Sequence, residues 1–167
     1  MYDIICPENL ELMNEFEKVA LKLGYDTLYV VGGSSFKSDK IKIKSAGEKK
    51  SDLIIKQAGD DARMHLEGKH VEVVYDFEWL NHRDGMHQRN SGINQILCKI
   101  ASSKNKIIGL NLSRFFSCEG KERAKILGRI SQNLRVCKKY KTEYMFFSFA
   151  KKPSDMVNVK DMKEGLK

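Results

Sequence analysis

Several common signatures are missing from these 167 residues. No apolar run is long enough for a signal peptide or a membrane span. Cys6, Cys98, Cys118 and Cys137 contain no CxxC pair, which argues against a zinc knuckle and a redox dithiol. No glycine fingerprint of the dinucleotide-binding type follows the first apolar segment. No linker, low-complexity tract or repeat divides the chain. These absences leave a single cytosolic domain over residues 1–167, with free thiols acting as small hydrophobes in a reducing compartment. At 41% hydrophobic, the chain is long enough to bury a core.

What the sequence does have is charge, unevenly placed. Of 30 Lys+Arg and 22 Asp+Glu, 13 and 6 respectively lie from Glu119 onward, against 17 and 16 before it. The excess of +8 therefore sits almost wholly in the last third, which points to nucleic acid or another extended polyanion.

Its carrier is one long helix over Glu119–Tyr140. At about 100° per residue, Ile126, Leu127, Ile130, Leu134 and Cys137 share an apolar arc. Lys121, Lys125, Arg129, Gln132, Arg135 and Lys139 form a stripe opposite. Arg123 falls on the apolar side, so Glu78, Asp84 or an RNA phosphate is its expected partner. Ser117 suits an N-cap, and Lys138, Lys139 and Lys141 suit the negative helix end. Tyr144–Ser148 follows at once as a buried strand. The competing reading is a solvated cationic face with no ligand. The apolar arc serves the neighbouring strand, which leaves none for a membrane.

Before this helix the chain alternates. Strands are expected at Tyr2–Cys6, Thr27–Val31, Ile41–Lys44, Asp52–Lys56, Val71–Tyr75 and Asn105–Leu110. A helix opening at Pro7-Glu8 and closing at Gly24 links the first two. A short helix or turn spans Gly59–Leu66, and another helix Ser91–Ser102. Seven strands alternating with helices predict an α/β domain with a mostly parallel sheet, either a barrel or a doubly wound layer. Gly32–Ser38 imitates a phosphate loop but lacks the glycine before the lysine and leads into a strand, so a surface loop is expected.

The most polar loop, Phe77–Gly92, begins where a strand ends, the place where such folds carry working residues. Glu78, His82, Asp84 and His87 offer metal ligands, although the histidines lack HxH or HExxH spacing. His87 beside Arg89 offers a general base without a marked nucleophile. Arg83, Arg89 and Trp79 offer an RNA or protein contact. A structural loop with its arginines paired to Glu78 and Asp84 is the fourth reading.

The run from His82-Arg83-Asp84-Gly85-Met86-His87 through Arg89-Asn90-Ser91-Gly92 to Cys98-Lys99-Ile100-Ala101 resembles the signature of the RNase P protein component 3 family. That family is the thirty-kilodalton subunit of archaeal and eukaryotic ribonuclease P. The resemblance continues at Asp52–Ile55 with Gly59-Asp60, at Ile108–Ser113, Glu122-Arg123-Ala124, Gln132–Lys141 and Ser148-Phe149-Ala150. It implies a TIM-barrel-like parallel barrel and a role in removing tRNA 5′ leaders. Cleavage would belong to the RNA subunit with magnesium, and the protein itself would hold no cofactor and be inactive alone. Implied partners are the RNase P RNA, a small ferredoxin-like protein subunit, the other RNase P proteins and, through the holoenzyme, pre-tRNA. Family members usually continue beyond the Ser-x-Ala segment, and Gln95 stands where a histidine is frequent, so a distorted or incomplete C-terminal closure is expected.

The family's barrel also resembles metal-dependent phosphoesterases of the polymerase and histidinol phosphatase type, the enzyme alternative. Those need HxH on the first strand, where this chain has Asp3-Ile4-Ile5-Cys6. Candidate RNA- or partner-binding residues are Arg83, His87, Arg89, Arg114, Lys121, Arg123, Lys125, Arg129, Arg135, Lys138 and Lys139; no catalytic or metal-binding residue is assigned.

Overall fold

The computed structural model of the chain describes residues 1–33, 37–47, 49–80, 84 and 89–158. Its strands are β1 (Tyr2–Ile5), β2 (Thr27–Val31), β3 (Lys42–Gly47), β4 (Leu53–Gln57), β5 (Val73–Tyr75), β6 (Ile107–Asn111) and β7 (Tyr144–Phe147). The helices are α1 (Met13–Leu23), α2 (Ala62–Glu67), α3 (Gln95–Ser103), α4 (Leu112–Phe116) and α5 (Gly120–Lys139). Strand order in the sheet follows chain order, and the ladders from β1 to β6 are parallel. β1 then meets the segment after β7 through one isolated parallel bridge, Ile5 with Ala150. This is the TIM-barrel-like connectivity expected, with one seam short of a full ladder. The chain divides into two compact units, residues 1–54 with 147–167, and residues 55–146.

In the first unit, α1 buries Met13, Phe16 and Ala20, and Gly24 ends it in the left-handed conformation at φ 79°. Leu28 and Val30 alternate inward from β2, as strand periodicity dictates. Together with Ile4, Ile5 and Phe147 they form the unit's core; each such side chain contributes about 1.5–3 kcal/mol by leaving water. Pro7 and Glu8 do not start α1. Asn9 instead caps a 3-10 turn over Leu10–Leu12, and Leu10 is exposed. At the seam, Asp3 is fully buried and accepts from the backbone N–H of Ser148 (2.8 Å), the Ser148 hydroxyl (2.5 Å) and the Ile4 N–H (2.8 Å). Burial pushes its carboxyl up to about 6 despite those bonds.

In the second unit, Ile55, Leu66, Val73, Val74, Phe77, Ile108, Leu110 and Phe146 make the core. The Sγ atoms of Cys98 on α3 and Cys137 on α5 lie 3.9 Å apart, and the Thr142 hydroxyl donates to Cys98 O at 3.0 Å. The cysteines act as buried packing groups, and only the fold brings this pair together. Phe77–Trp79 forms a 3-10 turn directly after β5, inside the stretch read as loop. Gly92, at φ 83°, lies so close to this turn that a Cβ would meet Phe77 O at 2.2 Å. Only glycine fits there.

Candidate nucleic-acid interface

α5 begins at Gly120, with Glu119 at the N-cap position and making no side-chain cap bond. Ser117 ends the preceding helix instead, its hydroxyl donating to Arg114 O at 2.8 Å. The buried face of α5 is Ile126, Arg129, Ile130, Asn133 and Cys137, while Leu127 is 39% exposed. That face is rotated by roughly 50° from the apolar arc read off the wheel. The rotation arises because two polar residues, Arg129 and Asn133, occupy core positions.

Arg129 is therefore not a member of the solvent stripe; it is 3% exposed. Its Nε and Nη2 donate to Asp84 Oδ1 at 3.1 and 2.8 Å, and its Nη1 donates to the carbonyls of Glu78 (2.9 Å) and Leu80 (3.2 Å). The planar fork thus gathers three acceptors from the segment after β5 and fixes that segment to α5. The Arg129 guanidinium holds the Asp84 carboxyl below the usual carboxylate range. Arg123, expected in this role, is exposed instead. It donates to Phe116 O at 3.0 Å and lies 5.9 Å from the Phe115 ring centroid.

With the helix so oriented, Lys121, Lys125, Arg135 and Lys139 are exposed along one side of α5, and Lys138 is exposed elsewhere on it. Arg89 joins them from the loop: Gln132 Nε2 donates to Arg89 O at 3.1 Å. The Arg89 guanidinium lies against Gly128, where a Cβ would come within 2.4 Å of Cζ and Nη1. A mid-helix glycine costs about 1 kcal/mol relative to alanine, and here its bare backbone seats a cation. Sequence reasoning did not find this seat. The signal available for it was the isolated glycine inside a helical pattern. Arg83 and His87 lie outside the described residues, as does His82.

A second polar cluster sits at the C-terminal ends of β4, β5 and β6. Asp76, left-handed at φ 68°, accepts from Gln57 Nε2 (2.9 Å) and Arg114 Nη1 (3.1 Å). Arg114 also lies 4.3 Å above the Trp79 ring, a cation–π arrangement. Burial raises the Asp76 carboxyl, with Arg114 and Gln57 opposing. Glu78 is 1% exposed, and burial, with a smaller push from the Asp76 charge, drives it up to about 8. Among the described residues its two carboxyl oxygens have no hydrogen-bond partner in the structure. Arg114 is thereby engaged by an acid and an indole. Among the described residues no group of three or more His, Cys, Asp or Glu is placed to hold a metal, and no helix is long and apolar enough to cross a membrane.

No family model matches the chain. A protein of Methanococcus vannielii is 27% identical over 116 residues, covering 66% of this chain and 50% of that protein. One of Methanosarcina acetivorans is 29% identical over 113 residues, covering 66% and 44%. Both carry the same description. The likeness is to ribonuclease P protein component 3. A component 3 from Methanosarcina mazei is 31% identical over 91 residues, 53% of this chain and 35% of its own length. The chain thus spans about half the length, or less, of the component 3 proteins it matches. In a cryo-EM structure of archaeal ribonuclease P with mature tRNA, one chain matches with a TM-score of 0.75 at 20% identity, over 99% of this chain and 81% of that one. That likeness fixes the fold, a parallel TIM-barrel-like sheet.

Proposed function

We propose that this chain is a protein subunit of a ribonuclease P ribonucleoprotein, supporting endonucleolytic removal of pre-tRNA 5′ leaders. The RNA subunit, with magnesium, would carry the cleavage, and the protein would bind RNA backbone. One observation carries this reading: the exposed line of Lys121, Lys125, Arg135 and Lys139, which Arg89 extends over Gly128. Helix side chains do not enter the deep, narrow groove of A-form RNA, so contact would follow phosphates or a junction's shape. Likeness to component 3 supports the identity of that RNA, and a small ferredoxin-like protein is the proposed direct partner. The test is to affinity-purify the chain from its native cells and sequence the bound RNA. Enrichment of the RNase P RNA is expected; recovery of unrelated RNA, or of none, would overturn the proposal.

A further inference from the structure

A cavity of about 350 Å³ opens between the Phe77–Trp79 turn and the first turns of α5. Trp79, Leu80 and Ile126 supply apolar lining, Lys121, Lys125 and Glu122 are exposed at its edge, and the buried Arg129 fork closes one side. Its volume is at the low end of the range for ligand sites, about 300–1,000 Å³, suited to one nucleotide rather than a helix or strand.

We infer that this cavity takes a single unstacked nucleotide of an RNA strand. It rests on the RNA-binding reading above and adds to it the form of RNA that this site selects. The base would lie against Leu80 and Ile126 beside the indole, with its phosphate on Lys121 and Lys125, the pairing of apolar platform and cationic groove by which single strands are held. Both lysines belong to the phosphate-binding line, so a strand following that line passes the cavity mouth. Glu122 adds selectivity. Its carboxylate accepts from the exocyclic amino group of an unpaired cytosine, adenine or guanine (for guanine together with N1–H), whereas uracil offers it one imino N3–H flanked by two carbonyl oxygens that repel it.

Trp79 is the sole tryptophan, so its fluorescence reports occupancy directly. The full chain is titrated with three short RNAs of equal length: a single strand containing one cytidine or guanosine, a uridine-only strand, and a duplex. Saturable change in Trp79 emission is expected with the first, affinity about tenfold weaker for the uridine strand, and binding without the emission change for the duplex. Glu122→Gln, at an exposed position, should bring the two strands within about threefold, because its amide also donates to uracil. Circular dichroism controls for folding. Should single strands and duplex all bind with the usual salt dependence while Trp79 stays silent, the cavity proposal falls and the RNA-binding reading stands. Absence of binding by any RNA removes both. An acidic peptide that changes Trp79 emission as the strand does would overturn the nucleotide assignment.

Discussion

A carboxyl group as deeply buried as that of Glu78 keeps its proton at neutral pH, because ionising it would place an unsolvated charge beside Asp76. The folded state holds this proton up to about pH 8, whereas the unfolded chain releases it near the ordinary value of 4.5. The contribution to stability is therefore complete below that ordinary value and is lost as pH rises through about 8. Asp3, raised from 3.8 to about 6, acts with the same sign in a lower window. Urea denaturation at about pH 5 and about pH 9 should show the wild type weakening by a few kcal/mol with rising pH, and Glu78→Gln should flatten much of that slope. A variant with the wild-type slope would mean that Glu78 does not hold its proton. Arg129 presents the opposite problem, a buried charge fully bonded. Truncation to alanine leaves the partly exposed Asp84 without its guanidinium and strands the carbonyls of Glu78 and Leu80, and should cost about 1–3 kcal/mol per buried acceptor left unpaired. Arg129→Lys keeps the charge but loses the fork, so thermal denaturation should still show a clear loss. At this scale the sequence was least legible. Hydrophobicity cannot announce that Arg129 and Asn133 belong in a core, since the acceptors around Arg129 come from residues about fifty positions earlier. The role expected of Arg123 was real but belonged to the residue nearly two turns further on.

The elements themselves are legible, because their signals are local. Strand alternation and the left-handed Gly24 stop place all seven strands and α1's end near their observed positions. The departures occur at helix starts: a short turn takes the place of one at Leu10–Leu12 and at Ser117, and the helix expected from Ser91 begins only at Gln95, where Asn94 caps it. α5 carries two expectations. Replacing Arg135 and Lys139 by glutamine should leave circular dichroism unchanged and reduce the salt slope of RNA binding by roughly 0.7–0.9 per residue neutralised, alike for several RNAs. An unchanged slope would mark the line as a solubilising face. Gly128→Ala has two opposed effects: the helix gains up to about 1 kcal/mol in propensity, while the new methyl displaces Arg89. Stability should change little, and RNA affinity should fall by the share of about one phosphate, readable in the same salt titration. A variant binding with the wild-type slope would show that Arg89 contributes nothing from that seat.

For the molecule as a whole, charge is the property that composition reveals and the fold organises. Four of the cations from Glu119 onward, Lys121, Lys125, Arg135 and Lys139, become an exposed line on one helix, while Asp76 and Glu78 turn inward and Asp84 pairs with the buried Arg129. The purified chain alone should show no metal-dependent nuclease activity, and tRNA 5′ processing should appear only on reconstitution with the cognate RNA and other subunits. Cleavage by the chain alone, abolished by His82→Ala or His87→Ala, would return the phosphoesterase reading. The seam also bears on how such a chain is made. Asp3 and Ser148 are separated by 145 positions yet bonded to each other. A ribosome therefore releases an acid-bearing first strand long before its hydroxyl partner exists, and the seam is among the contacts most distant in sequence. During synthesis Asp3 must stay hydrated or be sheltered by a chaperone. Fragments ending before Ser148 would expose an unfinished seam, a natural target for quality-control proteolysis.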